Sequence, residues 1–83
     1  MQEFMKILDI KSGTTTTTYT FTRVMNGVDI INESTTTALT LTVNGMSFSI
    51  PASSGFADIF ENFKSLTVTI TGTASHKLVV RGF

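Results

Sequence analysis

The sequence predicts a mainly β protein: a compact antiparallel β-sandwich or partly open barrel of about six strands, with one short helix at about Phe56–Phe63. Three observations support this prediction. Apolar and polar residues alternate over most of the chain, two Asn-Gly dipeptides interrupt alternating segments, and one segment changes to helical spacing. The 83 residues are enough for a single domain, 1–83, which buries roughly 60 to 65% of the surface its unfolded chain exposes.

The first predicted strand is Phe4–Ile10, which carries apolar residues at both odd and even positions. A strand with two apolar faces is expected to be central, or covered on both sides. The strand ends at Lys11–Gly13. Thr14–Thr16 is predicted as a loop, and the next strand should begin near Thr17, because β-branched threonine runs directly into the alternating segment Tyr19–Met25.

Asn26-Gly27 predicts a first hairpin. A two-residue type I′ turn needs positive φ at both central positions, which Asn and Gly tolerate best. Such a turn would pair Met25 with Val28 and Arg23 with Ile30. The pairing is imperfect, because it puts Arg23 on the apolar face.

Asn44-Gly45 predicts a second hairpin with a cleaner register. A two-residue turn puts all six apolar residues of 39–50 on one face and all four hydroxyl residues on the other. A slip of one residue would invert every side chain, so the pattern specifies this register strongly. The predicted pairs are Val43 with Met46, Thr42 with Ser47, Leu41 with Phe48, Thr40 with Ser49 and Leu39 with Ile50.

The segment Phe56–Phe63 predicts a two-turn helix, because its apolar residues fall at i, i+3, i+4 and i+7. Ser54 or Gly55 could cap it. Two turns are not stable alone, so the apolar stripe is expected to plug one end or side of the β core. The alternative, in which the aromatic rings line a ligand pocket, is less favoured. The predicted core plug consists of Phe56, Ile59, Phe60 and Phe63.

Two more strands are predicted after this helix. In Leu66–Thr71, apolar residues alternate with three threonines, and Gly72–Ser75 forms a turn. The last strand is Lys77–Arg81, with Leu78 and Val80 on the face opposite Val79 and Arg81.

Composition excludes several classes of function. Only 14% of residues are charged, the net charge is zero, and the six basic residues are scattered, so nucleic-acid binding is not expected. The absence of cysteine removes disulfides and thiolate metal sites. Charged residues interrupt the N-terminal apolar stretch, and no window approaches eighteen apolar residues, so neither a signal peptide nor a membrane span is predicted.

The titratable residues predict no catalytic, cofactor-binding or metal site. His76 is the only histidine, and it is expected to be solvated or to make a local hydrogen bond. A serine or threonine nucleophile needs a base held against it, and no motif supplies one. Asp58 and Glu61 would share a solvated helix face, and no phosphate loop or metal-ligand spacing occurs. We therefore expect neither an enzyme nor a small-molecule substrate.

Hydroxyl residues replace the missing charge: sixteen residues are Thr and eight are Ser. A surface poor in charge and rich in short hydroxyls suits a face that another protein covers, although a solvated threonine surface remains an alternative. Stacked Thr-x-Thr strands also form the ice-binding surface of some β proteins, but those usually show a regular repeat. The predicted interface face consists of Thr40, Thr42, Ser47, Ser49, Thr67, Thr69 and Thr71.

Residues 37–83 resemble small structural proteins of tailed-phage virions, of the capsid-decoration, head-fibre or tail-accessory kind. The segments that carry the resemblance are Leu39–Phe48, Phe56–Phe63, Leu66–Ile70 and Leu78–Gly82. The resemblance implies a non-enzymatic bacteriophage component, located in the virion after synthesis in the host cytoplasm. It also implies a homo-oligomer, or assembly with other virion proteins, and it implies no catalytic residues.

Two other classes of function remain open at this point. One is a carbohydrate- or surface-binding β module, with ice as a remote further surface. The other is a small enzyme, which would need a second titratable group beside His76.

Overall fold

A computed structural model describes residues 5–83, and the predicted start of the first strand, Phe4, lies outside that range. The described residues form an all-antiparallel sheet. The mainly β class with about six strands is therefore confirmed. The strands are β1 (Lys6–Gly13), β2 (Thr17–Asn32), β3 (Leu39–Val43), β4 (Met46–Ile50), β5 (Gly55–Thr69) and β6 (His76–Gly82).

All six strands belong to one open sheet in the order β1-β6-β2-β5-β3-β4. The two long strands, β2 and β5, lie at its centre. One end of β2 pairs with β6, while the opposite end of β5 pairs with β3. The strands β1 and β4 form the two edges, so the strand order establishes neither the predicted sandwich nor the predicted barrel.

The core lies on one face of this sheet, which curls so that distant strands touch. The ring of Phe48 on β4 stacks on Phe56 at the start of β5, with centroids 4.8 Å apart. The same ring meets the edge of Phe60 at 5.8 Å. Burial of this apolar face is the main stabilising contribution to such a sheet.

The hairpin at Asn44-Gly45 is confirmed in every predicted pair, from Val43 with Met46 to Leu39 with Ile50. Asn44 has φ 52° and Gly45 has φ 77°, so both central residues adopt the positive φ that a type I′ turn requires. The predicted start of a strand near Thr17 is also confirmed.

The hairpin predicted at Asn26-Gly27 is wrong, because β2 runs straight through this dipeptide. Gly27 lies between Arg81 on β6 and Ile59 on β5, and the segment from Gly27 to the end of β2 pairs with both neighbours. Two complete ladders outweigh a local turn preference. Arg23, which fitted the hairpin poorly, is exposed and donates to the carbonyl oxygen of Phe83 at 3.4 Å.

The helix predicted at Phe56–Phe63 is wrong as well, because the whole segment belongs to β5. The register of β2 with β5 shifts on either side of the pair Met25–Phe63. A β-bulge inserts residues into one strand and breaks strict alternation. The two buried side chains Phe60 and Phe63 are therefore three residues apart, which imitates the spacing of a helix.

The four predicted plug residues separate in the strand. Phe60 and Phe63 are buried, Phe56 is half-buried against the core, and Ile59 is 68% exposed. The prediction that Ile59 belongs to the core is therefore wrong. In a strand, Ile59 points to the face opposite that of its neighbour Phe60.

The last two predicted strands are extended in the structure, but the first of them is the end of the long strand β5 rather than a separate strand. Residues 66–69 form the end of β5, so Thr71, the last residue of the predicted strand, lies past the observed one. The predicted Lys77–Arg81 strand is β6, and its Leu78 and Val80 are fully buried as expected.

Candidate interaction surfaces

The predicted interface residues come together on the outer side of β3, β4 and β5. Thr42 lies between Ser47 on β4 and Thr67 on β5, and it hydrogen-bonds to the Ser47 hydroxyl at 3.0 Å. Thr40 lies between Ser49 and Thr69 in the next row. Six of the seven predicted residues therefore form two rows across three strands, and Thr71 follows the end of β5.

The rows continue onto β2, which sequence reasoning did not assign to this surface. Thr18 pairs with Thr67, and their hydroxyl oxygens lie 3.0 Å apart. Thr20 pairs with Ser65 in a third row. The Thr-x-Thr pattern of β2 was visible in the sequence, but the hairpin predicted at Asn26-Gly27 concealed the pairing of this segment with β5.

We call this surface the hydroxyl face, and none of its members carries a charge. Strands in a sheet lie about 4.8 Å apart, and alternate residues repeat at about 6.7 Å, so the hydroxyls form a two-dimensional array. The hydroxyl face consists of Thr18, Thr20, Thr40, Thr42, Ser47, Ser49, Ser65, Thr67 and Thr69.

A second surface lies on the outer side of β1, β6, β2 and β5, at the other end of the long strands. Its most exposed side chains are four isoleucines that the sequence did not predict to be surface residues. The exposures are 53% for Ile7, 59% for Ile10, 56% for Ile31 and 68% for Ile59. We call this surface the isoleucine face.

The exposure of Ile7 and Ile10 corrects the prediction for the first strand. A bulge between Ile7 and Asp9 puts Ile7 and Ile10 on the same outer face, while Leu8 packs against the core. β1 therefore has apolar residues on both faces, as predicted, but it is an edge strand rather than a central or doubly covered one.

Three rows of paired residues build the isoleucine face. Small residues lie on its β2 and β5 side, where Gly27 and Ala57 line an open hollow of about 390 Å³ that Met5, Ile59 and Arg81 border. From β1 to β5, the rows are Ile7–Arg81–Gly27–Ile59, Ile10–Val79–Asp29–Ala57 and Ser12–Lys77–Ile31–Gly55.

Charges in the isoleucine face are few, and two of them form an ion pair. The guanidinium of Arg81 donates to Asp29 Oδ2 at 3.0 Å, and both side chains are between a third and a half exposed. Asp58 lies at the margin of the hollow, where its carboxylate accepts from the Ile59 backbone N–H at 2.8 Å. Lys77 lies in the third row.

The one histidine of the chain is a buried hydrogen-bonding residue. His76 has no exposed surface, its Nε2 lies 2.9 Å from the Tyr19 hydroxyl, and its Nδ1 lies 3.4 Å from the Ala74 carbonyl oxygen. Tyr19 therefore donates to Nε2 when Nδ1 carries the proton toward Ala74. The prediction of a local hydrogen bond is confirmed, and the alternative of a solvated histidine is wrong.

Asp58 and Glu61 belong to β5 rather than to a helix, so the solvated helix face that the sequence predicted for them does not exist. Across residues 5–83, no cluster of three or more His, Cys, Asp or Glu side chains could hold a metal ion. That same range contains no helix with the length and hydropathy needed to cross a membrane.

Comparisons of the chain with protein-family models, curated proteins and solved structures find no significant match.

Proposed function

We propose that this protein is a non-enzymatic structural component that assembles with copies of itself or with other proteins by burying its hydroxyl face. The observation that carries the proposal is the charge-free array of Thr and Ser side chains on four adjacent strands. The more specific form of the proposal is a bacteriophage virion protein of the decoration, head-fibre or tail-accessory kind. That form rests on the resemblance of residues 37–83 alone.

The hydroxyl face is suited to burial because covering it desolvates no ionised group. Burying an unpaired charge costs several kcal/mol even after relaxation, whereas a hydroxyl can exchange one partner for another. The hydrogen bonds of Thr42 with Ser47 and of Thr18 with Thr67 already satisfy hydroxyls within the face. A covering chain therefore meets methyl groups and hydroxyls that leave few unpaired donors.

A double variant, Thr20→Lys/Thr69→Lys, tests this proposal. Both positions are exposed, so the variant should fold, and the two lysines should prevent a close partner from packing on the face. We expect the variant to lose the largest assemblies that the wild-type chain forms in sedimentation at high micromolar concentration, or its incorporation into phage particles. A wild-type chain that sediments only as a monomer and is absent from purified virions contradicts the proposal.

The genes beside the one that encodes this chain test the virion form separately. Capsid, portal or tail genes on either side are expected. A neighbourhood of unrelated metabolic genes contradicts the virion form and leaves the assembly role of the hydroxyl face to the sedimentation experiment.

The second candidate is a surface-binding module, and the regular spacing of the hydroxyl rows favours it. An array with repeats of about 4.8 Å and 6.7 Å can present threonines to an ordered surface such as ice. Thermal hysteresis of a concentrated solution measures this activity, and Thr67→Lys at the centre of the array should abolish it. No hysteresis in the wild-type protein refutes the ice-binding form.

The carbohydrate-binding form of this candidate would use exposed aromatic rings. Within residues 5–83, Phe83 is the aromatic residue among the large apolar side chains that are exposed, and its exposed fraction is 61%. Titration of wild type and Phe83→Ala with soluble oligosaccharides tests that form, which predicts weaker binding by the variant.

A further inference from the structure

We propose that the isoleucine face is an isologous interface that joins two copies of this chain. The inference rests on the proposed function, since it concerns a chain that assembles. It goes further by assigning self-association to a second surface, at the other end of the sheet from the hydroxyl face.

The residue pattern of β1 is the first argument. Its inner side contributes Leu8 to the core, and its outer side presents Ile7 and Ile10 to solvent. Edge strands usually carry charged or polar residues toward solvent, because exposed apolar edges promote association. β1 does carry Lys6, Asp9 and Lys11, and the last two form an ion pair at 3.3 Å, but none of these charges replaces Ile7 or Ile10 on the outer side.

The area of the face is the second argument. Three rows across four strands cover a footprint of roughly 20 by 20 Å, and the four isoleucines expose on the order of 400 Å² of apolar surface. The ion pair of Arg81 with Asp29 lies among these isoleucines, and an exposed apolar area of this size is typical of an interaction site on a soluble protein. Together with its polar margin, it approaches the roughly 800 Å² per partner of a standard interface.

Charge complementarity selects a second copy as the occupant. The face and its margin carry two acidic residues, Asp29 and Asp58, and two basic residues, Lys77 and Arg81. Two such faces can approach without net repulsion. The ion pair of Arg81 with Asp29 can exchange partners across a two-fold axis, and an isologous interface requires this self-complementarity.

The shape of the face fits the same occupant. Ile59 projects beside the open hollow of about 390 Å³, whose floor includes Gly27 and Ala57. A protrusion and a hollow on one surface are what two identical faces need in order to interlock. Small residues on β2 and β5 therefore serve the interface as well as the close packing of Gly27 against Arg81, whose Cβ would lie 3.4 Å from an added Cβ.

The test compares two double variants that make the same charge change on the same two strands. Ile31→Lys/Ile59→Lys alters the isoleucine face, and Thr20→Lys/Thr69→Lys is the matched control on the hydroxyl face. Sedimentation equilibrium measures the dimer dissociation constant of each chain, and circular dichroism confirms that each is folded. We expect the dimer dissociation constant to rise by roughly 100-fold or more in the isoleucine variant and to stay unchanged in the control.

Several outcomes overturn the inference. A dimer that survives Ile31→Lys/Ile59→Lys shows that the copies join elsewhere, for example by edge-to-edge pairing of β1, which these positions do not touch. Equal weakening by both variants shows a general effect of charge. A wild-type chain that is monomeric at high micromolar concentration also overturns the inference. In that case the proposed function is tested separately, by whether the chain is incorporated into phage particles.

A conservative variant keeps the test decisive if the lysine variant does not fold. Ile31→Thr/Ile59→Thr retains β-branched side chains, which favour strands, and removes apolar contact area. A folded threonine variant with a dissociation constant raised by about 10-fold or more supports the interface. An unchanged constant in a folded variant overturns it.

Discussion

Replacing Asn32 tests how much the hydrogen bonds of one buried amide, between the end of β2 and the neighbouring loops, contribute to the stability of the protein. Asn32 is 1% exposed, and its Nδ2 donates to the carbonyl oxygens of Thr37, Ile50 and Pro51 at 2.8, 3.2 and 3.2 Å. Its Oδ1 accepts from the Ser34 backbone N–H at 3.0 Å. One side chain thus joins the end of β2 to the chain just before β3 and to the chain at the end of β4.

Asn32→Ala removes all of these partners at once. An amide nitrogen has two hydrogens, so two of the three carbonyl contacts count as full hydrogen bonds, and the Ser34 N–H makes a third. A buried group left without a partner costs about 1 to 3 kcal/mol, so the loss of these three hydrogen bonds should lower the free energy of unfolding by about 3 kcal/mol. In a domain of this size that corresponds to a melting temperature lower by about 12 to 24 °C.

Asn32→Asp should be more harmful than Asn32→Ala, although its shape is nearly unchanged. The donor nitrogen becomes an oxygen that faces three carbonyl oxygens, and a buried, unpaired charge adds its desolvation cost. Acidification should narrow the difference from wild type, because a protonated carboxyl can donate one hydrogen bond. Urea denaturation followed by circular dichroism at two pH values measures both effects.

Asn26→Ala is the matched control, because Asn26 is also on β2 and its side chain donates to Asn62 Oδ1 at 2.7 Å on the exposed surface. We expect its loss to stay below about 1 kcal/mol. Equal stability of Asn32→Ala and Asn26→Ala, or an Asn32→Asp variant more stable than Asn32→Ala at neutral pH, refutes the reasoning.

The remaining predictions concern the core. Phe60→Ala should cost roughly 3 to 5 kcal/mol, because it empties the site between Phe48 and Phe63, while Ile59→Ala, measured in dilute solution, should cost less than about 1 kcal/mol. Equal effects on the two melting curves contradict the strand geometry of β5. Tyr19→Phe should cost about 1 to 3 kcal/mol by leaving Nε2 of buried His76 without its donor. A chemical denaturation curve identical to that of wild type shows that water replaces the hydroxyl.

Local patterns predicted the fold well where one turn and its two strands decide the structure. The register of 39–50 follows from turn length and alternation, and both are written in consecutive residues. The same logic failed at Asn26-Gly27, because the competing partners of that segment, β5 and β6, are more than twenty residues away in the chain. A sequence signal for a turn carries no information on such distant ladders.

The false helix has a different physical origin. Two irregularities in the pairing of β2 with β5 change which residues face the core, so buried side chains in β5 occur at spacings of three as well as two. A bulged strand and a short amphipathic helix then have the same apolar pattern. Length is a poor guide too, because eight residues fit either element.

The hydroxyl face was largely predictable, since Thr-x-Thr alternation survives in the regular halves of the strands. The isoleucine face was not. Its isoleucines come from β1, β2 and β5, and a bulge in β1 and the misassigned hairpin and helix each hid one contribution. Apolar residues were assumed to be buried, so the sequence offered no reason to expect Ile59 or Ile31 on a surface.

Both faces lie on the outer side of the same two long strands, one at each end, and this placement has a consequence for assembly. The irregular pairing around Met25 and Phe63 separates them, so a partner on one end does not cover the other. Two copies joined through the isoleucine face would leave two hydroxyl faces free. The proposed dimer is therefore bivalent, and weak contacts at each hydroxyl face would reinforce one another when both meet the same particle. A protein whose single hydroxyl face binds its neighbours weakly can therefore bind an assembly tightly as a dimer.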